Sequence, residues 1–247
     1  MLRAEHLATI GEMGASIAHE VRNPLAGISG AVQVLRDGLP PGDARHEVVE
    51  EILGQVNRVD AIVRRLLMFA KMWLPVRKPT DLRQLAVKIT EAAAMREPWK
   101  GIQFRFVGEP VLEAPVDPEL VEQALWNLLE NAADAIQHSR SGREGKGIIQ
   151  WEFRKTARGV RVTLKDNGCG MTPEAERKLF HPFFTTKTYG TGLGLLICRR
   201  IMEAHGGTIE VAGTSTVCRG LTNCDEGTEV SLDFPITVCR GLTNCEV

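Results

Sequence analysis

Two long amphipathic segments at the start of the chain restrict its fold more than any other feature. Apolar residues recur at steps of three and four across residues 7–36 and again across 49–69, which predicts two helices with near-heptad spacing. The segment GLPPGD at 38–43 separates them, so they should form an antiparallel hairpin. A homodimer through residues 7–70 would cover the remaining apolar stripe in a four-helix bundle. Alternatively, the hairpin packs on the rest of its own chain.

A basic segment bracketed by prolines, PVRKP, marks a change in sequence texture. We place a linker there, at residues 75–80, between a helical hairpin at 1–74 and a second domain at 81–236. A loop rich in glycine, proline and threonine spans 167–191. The second domain is predicted to be an α/β sandwich in which helices cover one face of a mixed sheet. Its predicted helices are 81–94, 117–138 and 193–204, and its predicted strands are 102–107, 148–155, 160–166, 207–212 and 228–234.

Charge balance and hydropathy exclude several classes of protein. Lys and Arg total 30 against 31 Asp and Glu, so no overall basic field favours nucleic acid. No stretch approaches the ~18 consecutive apolar residues of a membrane span, and residues 1–20 are too polar for a signal peptide. We therefore expect a cytoplasmic chain without direct nucleic-acid contact, although a parent protein could be membrane-anchored.

The nonapeptide TVCRGLTNC occurs twice, at 216–224 and 237–245. Without the first copy, the flanking text reads as a smooth strand–turn–strand. We therefore interpret both copies as inserted or non-native segments. The alternative is a disulfide-closed loop or a four-cysteine metal site, but the spacing C-x5-C is not the usual zinc pattern.

The first candidate reactive group is the histidine of the segment HEVRNP. Pro24 removes the N–H that would bond the carbonyl of Glu20, which predicts a kink in the first helix. Glu20 can orient the imidazole of His19 and accept its proton, leaving the other ring nitrogen to attack an electrophile. Asn23 lies four residues on, on the same helix face. The alternative is an exposed histidine beside an accidental kink.

A second set of polar residues lies along one face of the helix predicted at 117–138. Asn127, Asn131 and Asp134 share this face. Their oxygens suit Mg²⁺, which takes few protein ligands and keeps waters and phosphate oxygens. The alternative is a solvated polar face. The opposite face is apolar and consists of Val121, Leu125, Leu128 and Ala132.

Two glycine-rich segments are candidates for binding a nucleotide. DNGCGM follows a predicted strand, and Gly168 and Gly170 would let the backbone approach a flat ligand. The carboxylate of Asp166 could accept a hydrogen bond from an exocyclic amine, although ordinary turns have similar sequences. GTGLGL opens a helix, whose N-terminus offers N–H groups to phosphate. The residues of this second segment are Gly190, Thr191, Gly192, Leu193 and Gly194.

The segment FHPFFTTK precedes the second glycine segment. Phenylalanines beside a glycine- and threonine-rich loop suggest a hinged lid that its aromatic residues anchor when closed. Lys187 could reach a terminal phosphate. The alternative is a hydrophobic turn with a solvated lysine.

In this order and combination, the segments closely resemble the transmitter region of bacterial sensor histidine kinases. AHEVRNPL resembles the phospho-acceptor box, LLENAADA the N box, and DNGCGM and GTGLGL the two glycine boxes. FHPFFTTK resembles the phenylalanine box, in the form typical of the nitrogen-regulation branch. Glu226-Gly-Thr resembles the motif that closes the fold. The resemblance covers about 5–236; the departures are both TVCRGLTNC copies and the lack of a sensor segment before residue 5.

This resemblance implies a dimerisation and phosphotransfer hairpin followed by an ATP-binding domain of the gyrase and Hsp90 type. It implies that His19 is the phosphoacceptor, that Glu20 is its acid/base partner, and that Asn23 orients water when the partner is dephosphorylated. The phosphoryl group would pass to an aspartate of a response-regulator receiver domain. PVRKP would be the hinge.

The resemblance also implies the cofactors ATP and Mg²⁺ and their ligands. Asn131 would bind Mg²⁺, Asn127 a phosphate, and Asp166 the adenine. The glycines at 168, 170, 192 and 194 would shape the pocket. The other residues assigned to the nucleotide are Asp134, Lys187, Gly190, Thr191, Leu193 and Thr228.

Two alternative functions remain at the level of the sequence. One is an ATPase module of the gyrase and Hsp90 superfamily that phosphorylates nothing; the H-E-x-x-N-P segment argues against it, because that segment has no task in an ATPase. The other is an engineered, inactive scaffold, which the repeats would favour.

Overall fold

The structure is a computed structural model that describes residues 21–70, 74–96, 99–139, 147–187, 190–213 and 227–236. The described residues fall into two compact units. The hairpin unit contains the residues up to 70 together with 187 and 190–193, and the sheet unit contains the rest. Both TVCRGLTNC copies lie outside the described residues.

The hairpin unit confirms the two predicted helices. Helix α1 occupies 21–37 of the described residues, and α2 is Arg45–Ala70. Val32 of α1 packs against Val49 and Leu53 of α2, with Leu39 from the connecting loop beside them. The helix is continuous through Pro24 from residue 21; the expected kink involves Glu20, which lies outside the described residues.

The two helices run antiparallel and leave apolar side chains uncovered within their unit. The antiparallel direction follows from Arg22, near the described start of α1, which lies 3.4 Å from Asp60 in the second half of α2. Leu35 and Ile52, which belong to the predicted apolar stripes, are 63% and 40% exposed. This is the surface that the sequence pattern predicts for contact with a second hairpin.

The sheet unit contains a five-stranded mixed sheet and a small two-stranded sheet. The large sheet has the order β2-β4-β5-β7-β6, in which only the β2–β4 pair is parallel, and β1 pairs with β3. The strands are β1 (Lys78–Asp81), β2 (Gln103–Gly108), β3 (Glu113–Val116), β4 (Ile148–Thr156), β5 (Gly159–Asp166), β6 (Thr208–Gly213) and β7 (Thr228–Pro235). The helices are α3 (Leu82–Ala94), α4 (Pro118–Gln137), α5 (Pro173–Lys178) and α6 (Gly194–Ala204).

Helices α3, α4 and α6 cover one face of the large sheet, as predicted. Alternating residues of the central strands are fully buried beneath them, among them Trp151 and Leu164. The indole of Trp151 donates to Thr90 of α3 at 3.0 Å. On the other face Arg161 pairs with Asp233 at 2.7 Å. Among the described residues, no helix combines the length and apolar character that crossing a membrane requires.

Three elements differ from the sequence-based expectation. Strands β1 and β3 were not expected, and β1 occupies part of the segment predicted as a linker at 75–80. Helix α5 lies inside the predicted loop 167–191, and the Thr172 side chain caps it by accepting the N–H of Ala175. The other elements predicted for the sheet unit are present with bounds within two residues, and α2 begins four residues before the predicted pattern at 49–69.

Candidate functional site

Asp166 is the buried acid at one end of the central strand β5. Its residue is 3% exposed, and its carboxylate accepts the N–H of Gly168 at 2.8 Å. The backbone N–H of Thr228, its partner across the β5–β7 ladder, also donates to the carboxylate. Burial raises the pKa of Asp166 to about 7, although both backbone donors act in the opposite direction. The structure therefore brings Asp166, Gly168 and Thr228 together, as the nucleotide assignment requires.

The glycine turn after Asp166 packs directly on helix α4. A Cβ on Gly168 would lie 2.6 Å from both the carbonyl carbon and the Cβ of Ala135, so no larger residue fits. The N–H of Cys169 donates to the Ala135 carbonyl at 3.1 Å, and Gly170 adopts a φ of +65°. Ala135 is thus a site residue that the sequence motifs did not single out, and its small side chain is the only signal of this role.

The amide residues of α4 face the first residue of α6. A Cβ built on Gly194 would lie 3.8 Å from Asn131 Nδ2 and 3.9 Å from Asn127 Oδ1. Asn127 is 8% exposed, and its Nδ2 has no hydrogen-bond partner among the described residues. Buried amides are nearly always paired, so this one fits a ligand that supplies an acceptor.

Cys198 lies on the α6 side of the same interface. Its Sγ is 3.5 Å from the carbonyl oxygen of Ala124. Complete burial raises the pKa of this thiol to about 12, and the neighbouring Asn127 amide only partly offsets that rise. The thiol therefore stays protonated at neutral pH and acts as a packing residue, not as a nucleophile.

The phenylalanine segment carries two aromatic rings that cations cover and one that is exposed. The Arg199 guanidinium lies 4.9 Å from the Phe180 ring, and Lys178 lies 5.9 Å from the Phe184 ring. Phe183 is 64% exposed and adopts a φ of +64°, a conformation that bulky residues avoid. Phe183 follows α5 and belongs to the predicted lid, and its strained backbone fits a segment whose conformation changes in function.

The remaining predicted residues have the following positions. Asp134 is half-buried on α4, and Asn23 is exposed on α1. His19 and Glu20 lie outside the described residues. Five other residues belong to the hairpin unit, within which the N–H of Gly190 donates to the Lys187 carbonyl at 3.3 Å and Gly192 adopts a φ of +65°. These five are Lys187, Gly190, Thr191, Gly192 and Leu193.

Comparison with known families accounts for both units. Residues 9–72 match the His Kinase A (phospho-acceptor) domain. Residues 116–238 match the histidine kinase-, DNA gyrase B- and HSP90-like ATPase. The chain is homologous to sensor histidine kinases. The ATPase match begins at the end of β3, so α3 and β2 lie before it.

Several curated histidine kinases are similar to this chain. The signal transduction histidine-protein kinase AtoS of Escherichia coli K12 is 37% identical over 222 residues, which are 86% of this chain and 34% of AtoS. Sporulation kinase B of Bacillus subtilis is 30% identical over 95% of this chain and 52% of its own length. The nitrogen regulation protein NtrY of Azorhizobium caulinodans is 30% identical over a stretch that covers 85% of this chain and 28% of NtrY. The chain therefore spans about half the length of these kinases, or less.

Solved histidine kinase structures share the fold. Full-length ShkA in complex with AMPPNP superposes with a TM-score of 0.71 and 25% identity, over 91% of this chain and 46% of ShkA. ThkA in complex with the response regulator TrrA superposes with a TM-score of 0.62 and 27% identity, over 95% of this chain and 64% of the matched chain. These neighbours confirm the predicted fold class, a helical hairpin followed by an α/β ATPase domain.

Proposed function

We propose that this chain is the transmitter portion of a sensor histidine kinase. It phosphorylates its own His19 with ATP and then transfers the phosphoryl group to an aspartate of a response regulator. The HEVRNP segment carries this proposal, because it lies inside the phospho-acceptor match and an ATPase module has no use for it. The domain bounds 1–74, 75–80 and 81–236 belong to the same proposal.

The sheet unit fits adenine at Asp166. A buried carboxylate at the end of β5 can accept a hydrogen bond from an exocyclic amine, and the glycine turn that follows it packs closely on α4. The complex of ShkA with AMPPNP supports the same ligand class for this chain.

The phosphate end of the nucleotide fits the amide residues of α4. The Asn127 Nδ2, which has no hydrogen-bond partner among the residues that the structure describes, is a donor for a phosphate oxygen. Asn131 would hold Mg²⁺, which would neutralise charge between phosphates. The N-terminus of α6, where Gly194 lies beside Asn127 and Asn131, supplies further N–H donors. The assignments of Asp134, Lys187 and 190–193 to the triphosphate rest on the resemblance of their motifs.

The chemical step follows from the functional groups of the phospho-acceptor segment. A ring nitrogen of His19 attacks the γ-phosphorus in line, an N–P bond forms, and the P–O bond to ADP breaks. Glu20 holds the ring and takes the proton that the imidazole loses. Asn23, one helical turn on, would orient a water for hydrolysis of the phosphorylated regulator.

Labelling with γ-³²P ATP tests the proposal. The wild-type chain should acquire label that acid removes and alkali does not, as expected for a phosphoramidate, whereas His19→Gln should acquire none and should bind ATP as wild type does. His46→Gln is the matched control, because His46 is a half-buried histidine in the same unit. Label that persists on His19→Gln contradicts the assignment. A chain that binds ATP without becoming labelled favours the ATPase alternative.

The exposed apolar residues of the hairpin unit support a homodimer. Leu35 is 63% exposed and Val59 40%, and a second hairpin would bury them in a four-helix bundle. Light scattering should give about twice the chain mass of 27.2 kDa at micromolar concentration. The structure of ThkA with TrrA supports a receiver domain as the partner of this unit. A mass of one chain would contradict the dimer.

A further inference from the structure

Asp117 binds two parts of the sheet unit with one carboxylate. One oxygen caps helix α4 by accepting the N–H groups of Glu119 and Leu120 at 3.1 and 3.3 Å. The other oxygen accepts the N–H of Val76 at 2.9 Å. Burial by itself would raise the pKa of Asp117, but these three donors outweigh it and lower the pKa. The chain just before β1 is thus fixed to the start of α4.

His205 joins the end of α6 to the same point. The ring is buried, and its Nδ1 lies 2.7 Å from the Ile201 carbonyl, so Nδ1 carries the proton. Its Nε2 then has a lone pair and accepts the N–H of Asp117 at 2.9 Å. Burial lowers the pKa of His205; the charge of Arg77 acts in the same direction, whereas the Ile201 carbonyl and the Asp117 charge oppose it. The geometry requires a neutral imidazole.

A third contact completes this junction, which consists of Val76, Arg77, Asp117 and His205. The Arg77 guanidinium donates to the carbonyl oxygen of Ala204, the last residue of α6, at 3.4 Å. Val76 and Arg77 are therefore bonded to both helices. They are also the residues through which the chain reaches β1 after the hairpin unit ends.

Helices α4 and α6 run antiparallel from this junction to the candidate nucleotide site. Cys198 contacts Ala124 midway, and Gly194 lies beside Asn127 at the far end. Asn127 is ten residues along α4 from Asp117, or about 15 Å at 1.5 Å per residue. The junction therefore lies too far from the nucleotide site to touch a ligand bound there.

We propose that Asp117 and His205 are positioning residues for autophosphorylation, which fix the incoming chain to the two helices that carry the nucleotide site. This inference rests on the proposed function. Transfer between two linked units depends on the length and freedom of the segment that joins them. With the junction intact, the sheet unit holds the chain before β1 from Val76 onward; without it, the first residue held there is Lys78 of β1.

The junction predicts a loss of phosphorylation rate without a loss of nucleotide affinity. Val76→Pro removes the N–H that Asp117 accepts, and Val76→Ala keeps it. Val76 is 65% exposed, so neither change disturbs the core. In the full chain, Val76→Pro should lower the autophosphorylation rate at saturating ATP by about two-fold, while KM for ATP stays at the wild-type value and Val76→Ala matches wild type.

A second pair of variants tests the histidine itself. His205→Gln can place an amide oxygen near the position of Nε2 and accept the Asp117 N–H, whereas His205→Asn is too short to do so. We expect the rate to be low in His205→Asn and largely recovered in His205→Gln. Protonation of Nε2 would place its N–H opposite the N–H of Asp117 and break this contact. The autophosphorylation rate of wild type, relative to that of His205→Gln, should therefore fall as pH decreases below 6.5.

The outcomes separate this inference from the function on which it rests. If wild type is labelled and Val76→Pro is labelled at the rate of Val76→Ala, the positioning role is wrong. A change confined to KM would also overturn it, because it would place the junction in nucleotide binding. If wild type binds ATP but acquires no label, the proposed function fails, and the positioning role fails with it.

Discussion

Replacing Asp166 by asparagine should stabilise the sheet unit while it weakens nucleotide binding. The carboxyl has a pKa of about 7 in the folded chain, against an ordinary value of 3.8. Between these values the folded state binds more protons than the unfolded state, so its stability falls as pH rises through this window and is constant above it. Asparagine has the same size and an acceptor oxygen, but no ionisation to suppress.

The magnitude follows from the difference between the two pKa values. About three pKa units correspond to about 4 kcal/mol of lost stability at pH 8. Asp166→Asn recovers only part of this lost stability, because the N–H groups of Gly168 and Thr228 bond a neutral oxygen less strongly than a carboxylate. We expect a net stabilisation of about 2 to 3 kcal/mol at pH 8 and almost none at pH 4.

Urea unfolding followed by tryptophan fluorescence measures this difference. All four tryptophans lie at or after residue 73, so the signal reports the sheet unit. With a urea dependence of about 2 kcal/mol per molar, the midpoint of Asp166→Asn should exceed that of wild type by about 1 M at pH 8. ATP affinity should fall by about ten-fold or more, because an amide can present its donors to the exocyclic amine.

Two results would refute this reasoning. A stability difference that does not change between pH 4 and pH 8 would mean that Asp166 titrates at its ordinary pKa. A variant with normal ATP affinity would mean that the adenine site is elsewhere.

Two other predictions test the geometry of the site. Gly168→Ala should destabilise the sheet unit by about 2 kcal/mol or more, because its Cβ would lie 2.6 Å from backbone of Ala135; Gly194→Ala, with its nearest neighbours at 3.8 Å, should change the free energy of urea unfolding by less than about 0.5 kcal/mol. Asn131→Ala should weaken ATP binding, measured by calorimetry, in Mg²⁺ but not in EDTA, and equal weakening in both would contradict a metal ligand.

The sequence predicted the elements whose local signals agree with their tertiary environment. Asp117-Pro118 predicts the start of α4, and the structure places Asp117 as its cap. Periodicity predicts α2, whose pattern is helical throughout. The motif that contains Asp166 also lies where the sequence places it, at the end of β5.

Other elements were missed because their stability depends on distant residues. Strands β1 and β3 are four residues each, and Pro79 of β1 lies opposite Pro115 of β3. Proline within a short segment indicates a turn more often than a strand, so the sequence did not predict either strand. Helix α5 was hidden in a segment that is rich in turn-forming residues. His205 has no motif around it that indicates its partner, because Asp117 is 88 positions away.

Asn127 and Asp166 together favour the proposed ligand site. Each carries a local cost that a chain selected only for stability would remove: a buried amide donor without a hydrogen-bond partner in the described part of the chain, and a carboxyl whose ionisation burial opposes. The two come from different elements, α4 and β5, and the contact of Gly168 with Ala135 links them. The proposed nucleotide would offer a donor to Asp166 and acceptors to Asn127, so its binding would relieve both costs at once, whereas an empty sandwich of the same fold has no use for either.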